Sequence, residues 1–139
     1  FLAPGAGFYT PPKRLDAYDA IRFIKSLGAV AVLAHPFLNL DEGGLRSFLP
    51  EAVAAGLDGM EVLYPKYDNE TACLAGYMAR EFGLLPSGGS DFHGMYNHGT
   101  WSIGDYVTPK QQLSELLNYK TKIKRQQKKL EALAAEAQG

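Results

Sequence analysis

The sequence is poor in cysteine, in long apolar runs and in net charge, and each shortage excludes something. One cysteine, Cys73, among 139 residues cannot close an internal disulfide. The fold must therefore be held by a packed core, and a lone thiol in a helical pattern reads as a small buried hydrophobe in a reducing, cytoplasmic compartment, with a reactive thiol as the alternative. The longest apolar run, 29–34, is far shorter than the roughly 20 residues that cross a bilayer. No signal-peptide pattern is present, and no membrane partner is expected. The chain opens at Phe1 rather than Met, so a trimmed chain or a fragment is expected.

The net charge of −1 is unevenly spread. Residues 1–109 hold seven Lys and Arg against twelve Asp and Glu, whereas 110–139 hold seven against three. The C-terminal stretch is thus a different kind of segment from the acidic body.

Within the body, apolar periodicity alternates between two kinds. The first 14 residues are broken by Pro4, Gly5, Gly7, Pro11 and Pro12 and read as irregular. A helix follows, with Asp16 as N-cap, Ile21, Ile24 and Leu27 at core spacing, and Gly28 as its stop. The run 29–34 predicts a strand buried on both faces, ending at His35 and Pro36. After a polar loop over 39–44, a second helical pattern covers 45–55, where Pro50 should kink or restart it and Gly56 should end it. Met60 to Tyr64 predicts the second strand. Asn69 begins a third helix through Leu74, Tyr77, Met78 and Phe82, closed by Gly83, and the apolar run 83–87 predicts the third strand. Helices alternating with short apolar strands indicate an α/β fold with a parallel sheet or barrel.

In such folds ligands bind at the rim formed by the C-terminal ends of the strands. His35 lies at the first such end. Glu61 lies within the second strand, with 64–68 just beyond it, and Asp91 and His93 lie beyond the third. If the backbone stays extended over 90–93, its two-residue period puts Asp91 and His93 on one face and Phe92 on the other. Imidazole and carboxylate together suit Zn²⁺, Mn²⁺ or Fe, and such a cation brings the pKa of its water towards roughly 7. Taken singly, His35 before a proline also reads as a strand end, and Asp91 as a turn cap.

Three stretches, Ala34–His35–Pro36, then Gly56–Leu57–Asp58–Gly59–Met60–Glu61–Val62, then Gly88–Gly89–Ser90–Asp91–Phe92–His93–Gly94, carry a resemblance in their order and spacing. They resemble the C-terminal half of a PHP-domain (polymerase and histidinol phosphatase) metal-dependent phosphoesterase, nearest the bacterial branch that hydrolyses nucleotide and short-RNA phosphates. The resemblance covers about residues 8–107, including the lead-in Tyr9, Thr10, Pro11 and Pro12.

The resemblance implies part of a distorted (β/α)7 barrel whose complete form carries two or three divalent metal ions. It implies His35, Asp91 and His93 as metal ligands, with Asp91 and His93 also in catalytic roles. It puts Tyr67 where the family commonly has another ligand. A neutral phenol ligates poorly, so either one metal is held weakly or Tyr67 hydrogen-bonds substrate. Lys66 is the nearest cation for a substrate phosphate, with a solvated loop lysine as the plain alternative. In the complete family site, metals bind phosphate oxygens and supply hydroxide for in-line attack.

The family's first motif, a His-x-His pair followed by Ser-Asp-Gly, is missing from this sequence, as are the bridging Glu and His after it. The expectation is therefore a phosphoesterase parent and a chain that is inactive alone. The alternatives are a non-catalytic scaffold and a related metal hydrolase acting on C–N bonds. His98 has no ligand role in the motif, and Phe8, Phe37, Trp101 and Tyr106 read as packing.

The sequence divides into 1–107 and a C-terminal basic helix over 108–139. In that helix Leu113, Leu116, Leu117, Ile123, Leu130 and Leu133 are the apolar positions. Its basic run 120–129 is either a salt-sensitive contact for RNA phosphates or a solvated face. The exposed edges of a half barrel predict self-association, as a homodimer or by exchange of segments.

Overall fold

The computed structural model describes residues 14–94 and 101–136. The expectations for Phe8, for Tyr9 to Pro12 and for His98 fall outside those residues. Four helices and three strands appear in the order α1 (Ala17–Ser26), β1 (Val32–Leu33), α2 (Glu42–Ala55), β2 (Gly59–Leu63), α3 (Asn69–Glu81), β3 (Leu85–Gly88) and α4 (Lys110–Glu136). A short 3₁₀ turn, Pro36–Leu38, follows β1. The strands form one sheet in the order β1-β2-β3, parallel throughout. This is the expected α/β alternation with a long C-terminal helix.

Three aspartates set the helix starts. Asp16 accepts the Tyr18 N–H at 2.9 Å, Asp41 the Gly44 N–H at 2.7 Å and Asp68 the Thr71 N–H at 2.8 Å. Each satisfies a donor that the first turn leaves without a partner. Asp41 explains one correction, because α2 begins at Glu42 inside the stretch expected to be a polar loop. Pro50 lies inside α2 without ending it. It only removes one donor, and the buried Leu45, Leu49 and Ala52 hold the helix on both sides of it.

The core is built from one side of α1, α2, β2 and α3, with Ala31 and Leu84 from the segments that lead into β1 and β3. Leu45, Leu49, Met60 and Met78 are fully buried, with Ile21, Ala31, Val62, Ala75 and Leu84 around them. Full burial of such a side chain contributes about 1.5–3 kcal/mol, which compensates for strands this short. Two expected core positions face outward, Leu27 at 68% and Tyr77 at 58% exposure. Cys73 is also exposed, not buried as expected, because it lies on the outer side of α3. α4 has no buried residue and leans on β3 through one side.

Candidate functional site

The C-terminal ends of β1, β2 and β3 carry the polar groups singled out in the sequence. His35 follows β1 and opens the 3₁₀ turn with φ 29°. Asp91 follows β3 with φ 49°. Among the described residues these two are the non-glycine residues with left-handed backbones. Such geometry costs on the order of 1 kcal/mol or more, and it persists where the surroundings enforce it.

The turn at Asp91 corrects the expectation of an extended 90–93. β3 ends at Gly88, and Gly89 makes an isolated antiparallel bridge to Val107. Asp91 and His93 nevertheless meet, with His93 Nε2 3.0 Å from Asp91 Oδ1. The left-handed turn at Asp91 itself does what strand alternation was expected to do.

Other residues connect this pair to the rest of the rim. The Tyr64 hydroxyl donates to Asp91 Oδ2 at 3.1 Å, and its ring lies 5.1 Å from the His35 imidazole, centroid to centroid. Glu61 Oε2 accepts the His35 backbone N–H at 2.8 Å. The Tyr67 hydroxyl accepts the Phe37 N–H at 3.0 Å and keeps its own proton free to donate. Lys66 is exposed on the turn before α3.

Burial pushes the Tyr64 hydroxyl up to about 12, with the bond to Asp91 acting the same way. Tyr67 is also pushed up to about 12, by burial against the opposing pull of the Phe37 N–H. Burial raises Glu61 as well, against the lowering influence of the His35 N–H. At Asp91 burial acts upward, but the hydrogen bonds from Tyr64 and His93 outweigh it and hold the carboxyl below its ordinary value. Both phenols are therefore neutral, and Tyr64 donates to an ionised Asp91.

The donor chemistry suits a divalent cation. Two imidazoles and one carboxylate are its usual nitrogen and oxygen ligands. The buried Nδ1 of His35 has no hydrogen-bond partner among the described residues, an unsatisfied state that typically costs about 1–3 kcal/mol. A bound ligand would remove that cost. Among the described residues no three His, Cys, Asp or Glu side chains converge closely enough to hold a metal ion. The rim thus offers part of a site. A cleft of about 550 Å³ between α3, β3 and α4, lined by Cys73, Arg80, Gln112 and Glu115 among others, lies apart from it. That cleft brings together no paired base and ligand set, so the chemistry favours the rim.

Sequence reading named His35, Asp91 and His93 as candidates and left Glu61 uncommitted. It missed Tyr64, which alternation places with Met60 and Val62 on the buried side of β2. The usable signal was that a buried tyrosine at a strand end needs a partner for its hydroxyl.

No protein-family model matches the chain. Over 84 residues it is 37% identical to a phosphoribosyl 1,2-cyclic phosphate 1,2-diphosphodiesterase of Eggerthella lenta, covering 59% of this chain and 30% of that protein. Over 95 residues it is 38% identical to the 5'-3' exoribonuclease Rnm of Escherichia coli, covering 67% of this chain and 32% of that one. A solved structure from Bifidobacterium adolescentis, described as a metal-dependent phosphoesterase, superposes with a TM-score of 0.64 at 28% identity. The match covers 83% of this chain and 40% of that one. The chain is therefore a partial match to the PHP-family phosphoesterases, spanning about a third of the length of these curated relatives.

Proposed function

From this partial match to PHP-family phosphoesterases, we propose that the chain supplies one part of the metal centre of a phosphoesterase acting on nucleotide or short-RNA phosphates. The observation that carries the reading is the meeting of Asp91 and His93 at 3.0 Å beside His35, whose buried Nδ1 lacks a partner. The relatives' names add the substrate class, a cyclic phosphate in one and RNA in the other.

In this reading His35, Asp91 and His93 are separate contributions to a centre for divalent cations, Mn²⁺, Zn²⁺ or Fe, that ligands from outside the chain complete, since among the described residues no three such side chains converge. Such a cation supplies Lewis acidity towards phosphoryl oxygens and acidifies water. His93 serves either as one of these ligands or, with its side chain 72% exposed, as the acid that passes a proton to a leaving alkoxide. Lys66 meets a phosphate oxygen from the open side, and Tyr67 donates its remaining proton to substrate. Three donors do not complete a cluster, so activity is assigned to the complete protein and the chain alone is inactive.

Residues 1–107 form the catalytic part and 108–139 an appended basic helix that draws RNA phosphates by charge. Val32 and Leu63, both in the sheet, are 40% and 36% exposed, and β1 is an edge strand, which supports covering of this region by a second copy or by further chain. Among the described residues no helix is long and apolar enough to cross a membrane, and a reducing, cytoplasmic setting is our reading of the lone cysteine.

The test joins the chain to the N-terminal portion of a curated relative and assays a nucleoside bisphosphate and a short RNA with added Mn²⁺. Mn²⁺-dependent phosphate release that falls to background in Asp91→Ala is expected. A folded fusion without metal-dependent turnover on either substrate refutes the proposal.

A further inference from the structure

We propose that the cleft between α3, β3 and α4 is a binding site for a free α-amino acid with an apolar side chain. It lies apart from the strand-end rim, so the proposal is independent of the metal reading. At about 550 Å³ the cleft falls within the range of small-molecule sites, roughly 300–1,000 Å³. Val62, Leu84 and Pro86 give it an apolar side towards the sheet. Arg80 stands on the α3 wall, and Gln112 and Glu115 stand on the α4 wall. Three residues apart on a helix, Gln112 and Glu115 are neighbours on one face.

The polar groups of the cleft are left unmatched by the protein itself. Arg80 and Glu115 carry opposite charges on opposite walls and form no ion pair with each other. No other carboxylate of the described residues pairs with Arg80, and the adjacent Glu81 is held by Arg46 at 2.7 Å. Glu115 receives one long contact, from Gln111 Nε2 at 3.4 Å. Gln112 Oε1 is buried and has no hydrogen-bond partner among the described residues, a state that folded proteins rarely tolerate.

A zwitterion answers all three groups. Its carboxylate matches the planar fork of the Arg80 guanidinium, its ammonium supplies donors to Gln112 Oε1 and Glu115, and its side chain covers Val62, Leu84 and Pro86. A simple anion leaves Gln112 and Glu115 unmet, and a simple cation leaves Arg80 unmet. A phosphate ester meets Arg80 but is repelled by Glu115.

The probe is L-phenylalanine, titrated into the 139-residue chain and followed by NMR through the methyl resonances of Val62 and Leu84. Of two analogues, 3-phenylpropanoate lacks the ammonium and 2-phenylethylamine lacks the carboxylate. Saturable shifts are expected for L-phenylalanine, with each analogue binding about 10-fold more weakly for the loss of one charge-assisted contact. Arg80→Gln should bring L-phenylalanine down to the affinity of 2-phenylethylamine, and Glu115→Gln should bring it towards that of 3-phenylpropanoate. Both residues are exposed, so the substitutions leave the core untouched. A readout without any substitution is Cys73, an exposed thiol that lines the same cleft and is the one cysteine of the chain. Its alkylation by iodoacetamide should slow when L-phenylalanine saturates the shifts. Absence of saturable shifts at Val62 and Leu84 overturns the proposal, and an unchanged alkylation rate at saturation does the same by placing the ligand elsewhere. Equal binding of all three compounds also overturns it, because the cleft then takes any apolar ring and reads no charge.

Discussion

Lys25 Nζ lies 2.7 Å and 2.6 Å from the two carboxylate oxygens of Asp58, joining the last turn of α1 to the start of β2. Asp58 is 6% exposed, and its Oδ2 also accepts the Ala31 N–H at 2.8 Å, just before β1. One carboxylate therefore ties three segments at the end of the sheet opposite the candidate site. α4 comes to rest on the same junction. Tyr119 lies 5.6 Å from Lys25 Nζ, ring centroid to nitrogen, and Gln127 donates to the Lys25 carbonyl at 3.4 Å.

Removing Asp58 leaves a partly buried lysine without its counter-ion and an amide without its acceptor. Asp58→Ala is expected to lower the unfolding free energy by about 3 kcal/mol, at the low end for a broken buried pair because the Lys25 side chain is 23% exposed and reaches water. Urea unfolding followed by circular dichroism measures this. A loss below about 0.5 kcal/mol, the range of ordinary surface substitutions, contradicts it.

The cap of α3 gives a pH dependence of known sign. The Thr71 backbone N–H, with the Thr71 side chain acting the same way, holds the Asp68 carboxyl below its ordinary value of 3.8. A depressed folded value means that the ionised form stabilises the fold, fully above the ordinary carboxylate pKa and progressively less as pH falls through the folded value. Asp68→Ala should therefore shift the urea midpoint at pH 7 and have a diminishing effect as the pH drops below 4. Equal shifts at both ends of that range rule out the cap as the cause.

Two glycines should respond with opposite signs. A methyl group on Gly88 would stand 2.8 Å from Leu63 Cβ and 3.1 Å from the Val107 carbonyl, where neighbouring backbone cannot yield. Gly88→Ala is expected to lower stability by about 1–3 kcal/mol through overpacking. Gly76 lies inside α3 with nothing within 4 Å of the added methyl, and Gly76→Ala should stabilise by about 0.5–1 kcal/mol. Thermal melts of the two variants moving in the same direction would argue against the packing at the β2–β3 seam.

Much of this fold could be read from local pattern. Asp16, the helix start at Asn69 and the glycines at 28 and 56 were legible because capping and helix ends are decided within a few residues. Asp41 was missed for the same reason in reverse. Its cap extended α2 into a segment whose composition, two glycines among polar residues, resembles a loop. Leu27, Tyr77 and Cys73 followed the helical period yet face outward, because which side of a helix is covered depends on what packs there and not on the helix itself.

The sequence by itself determined the alternation of helix and strand and the types of chemical group at the strand ends, since both are set by short-range periodicity and by where parallel strands must finish. Only the tertiary structure decided how those groups meet. His35, Tyr64 and Asp91 lie at the ends of three different strands, and the hydrogen bond at 3.1 Å and the ring contact at 5.1 Å arise from strand register and from two left-handed turns. Neither register nor turn handedness is written in the residues next to them. Both follow from which faces the core must bury.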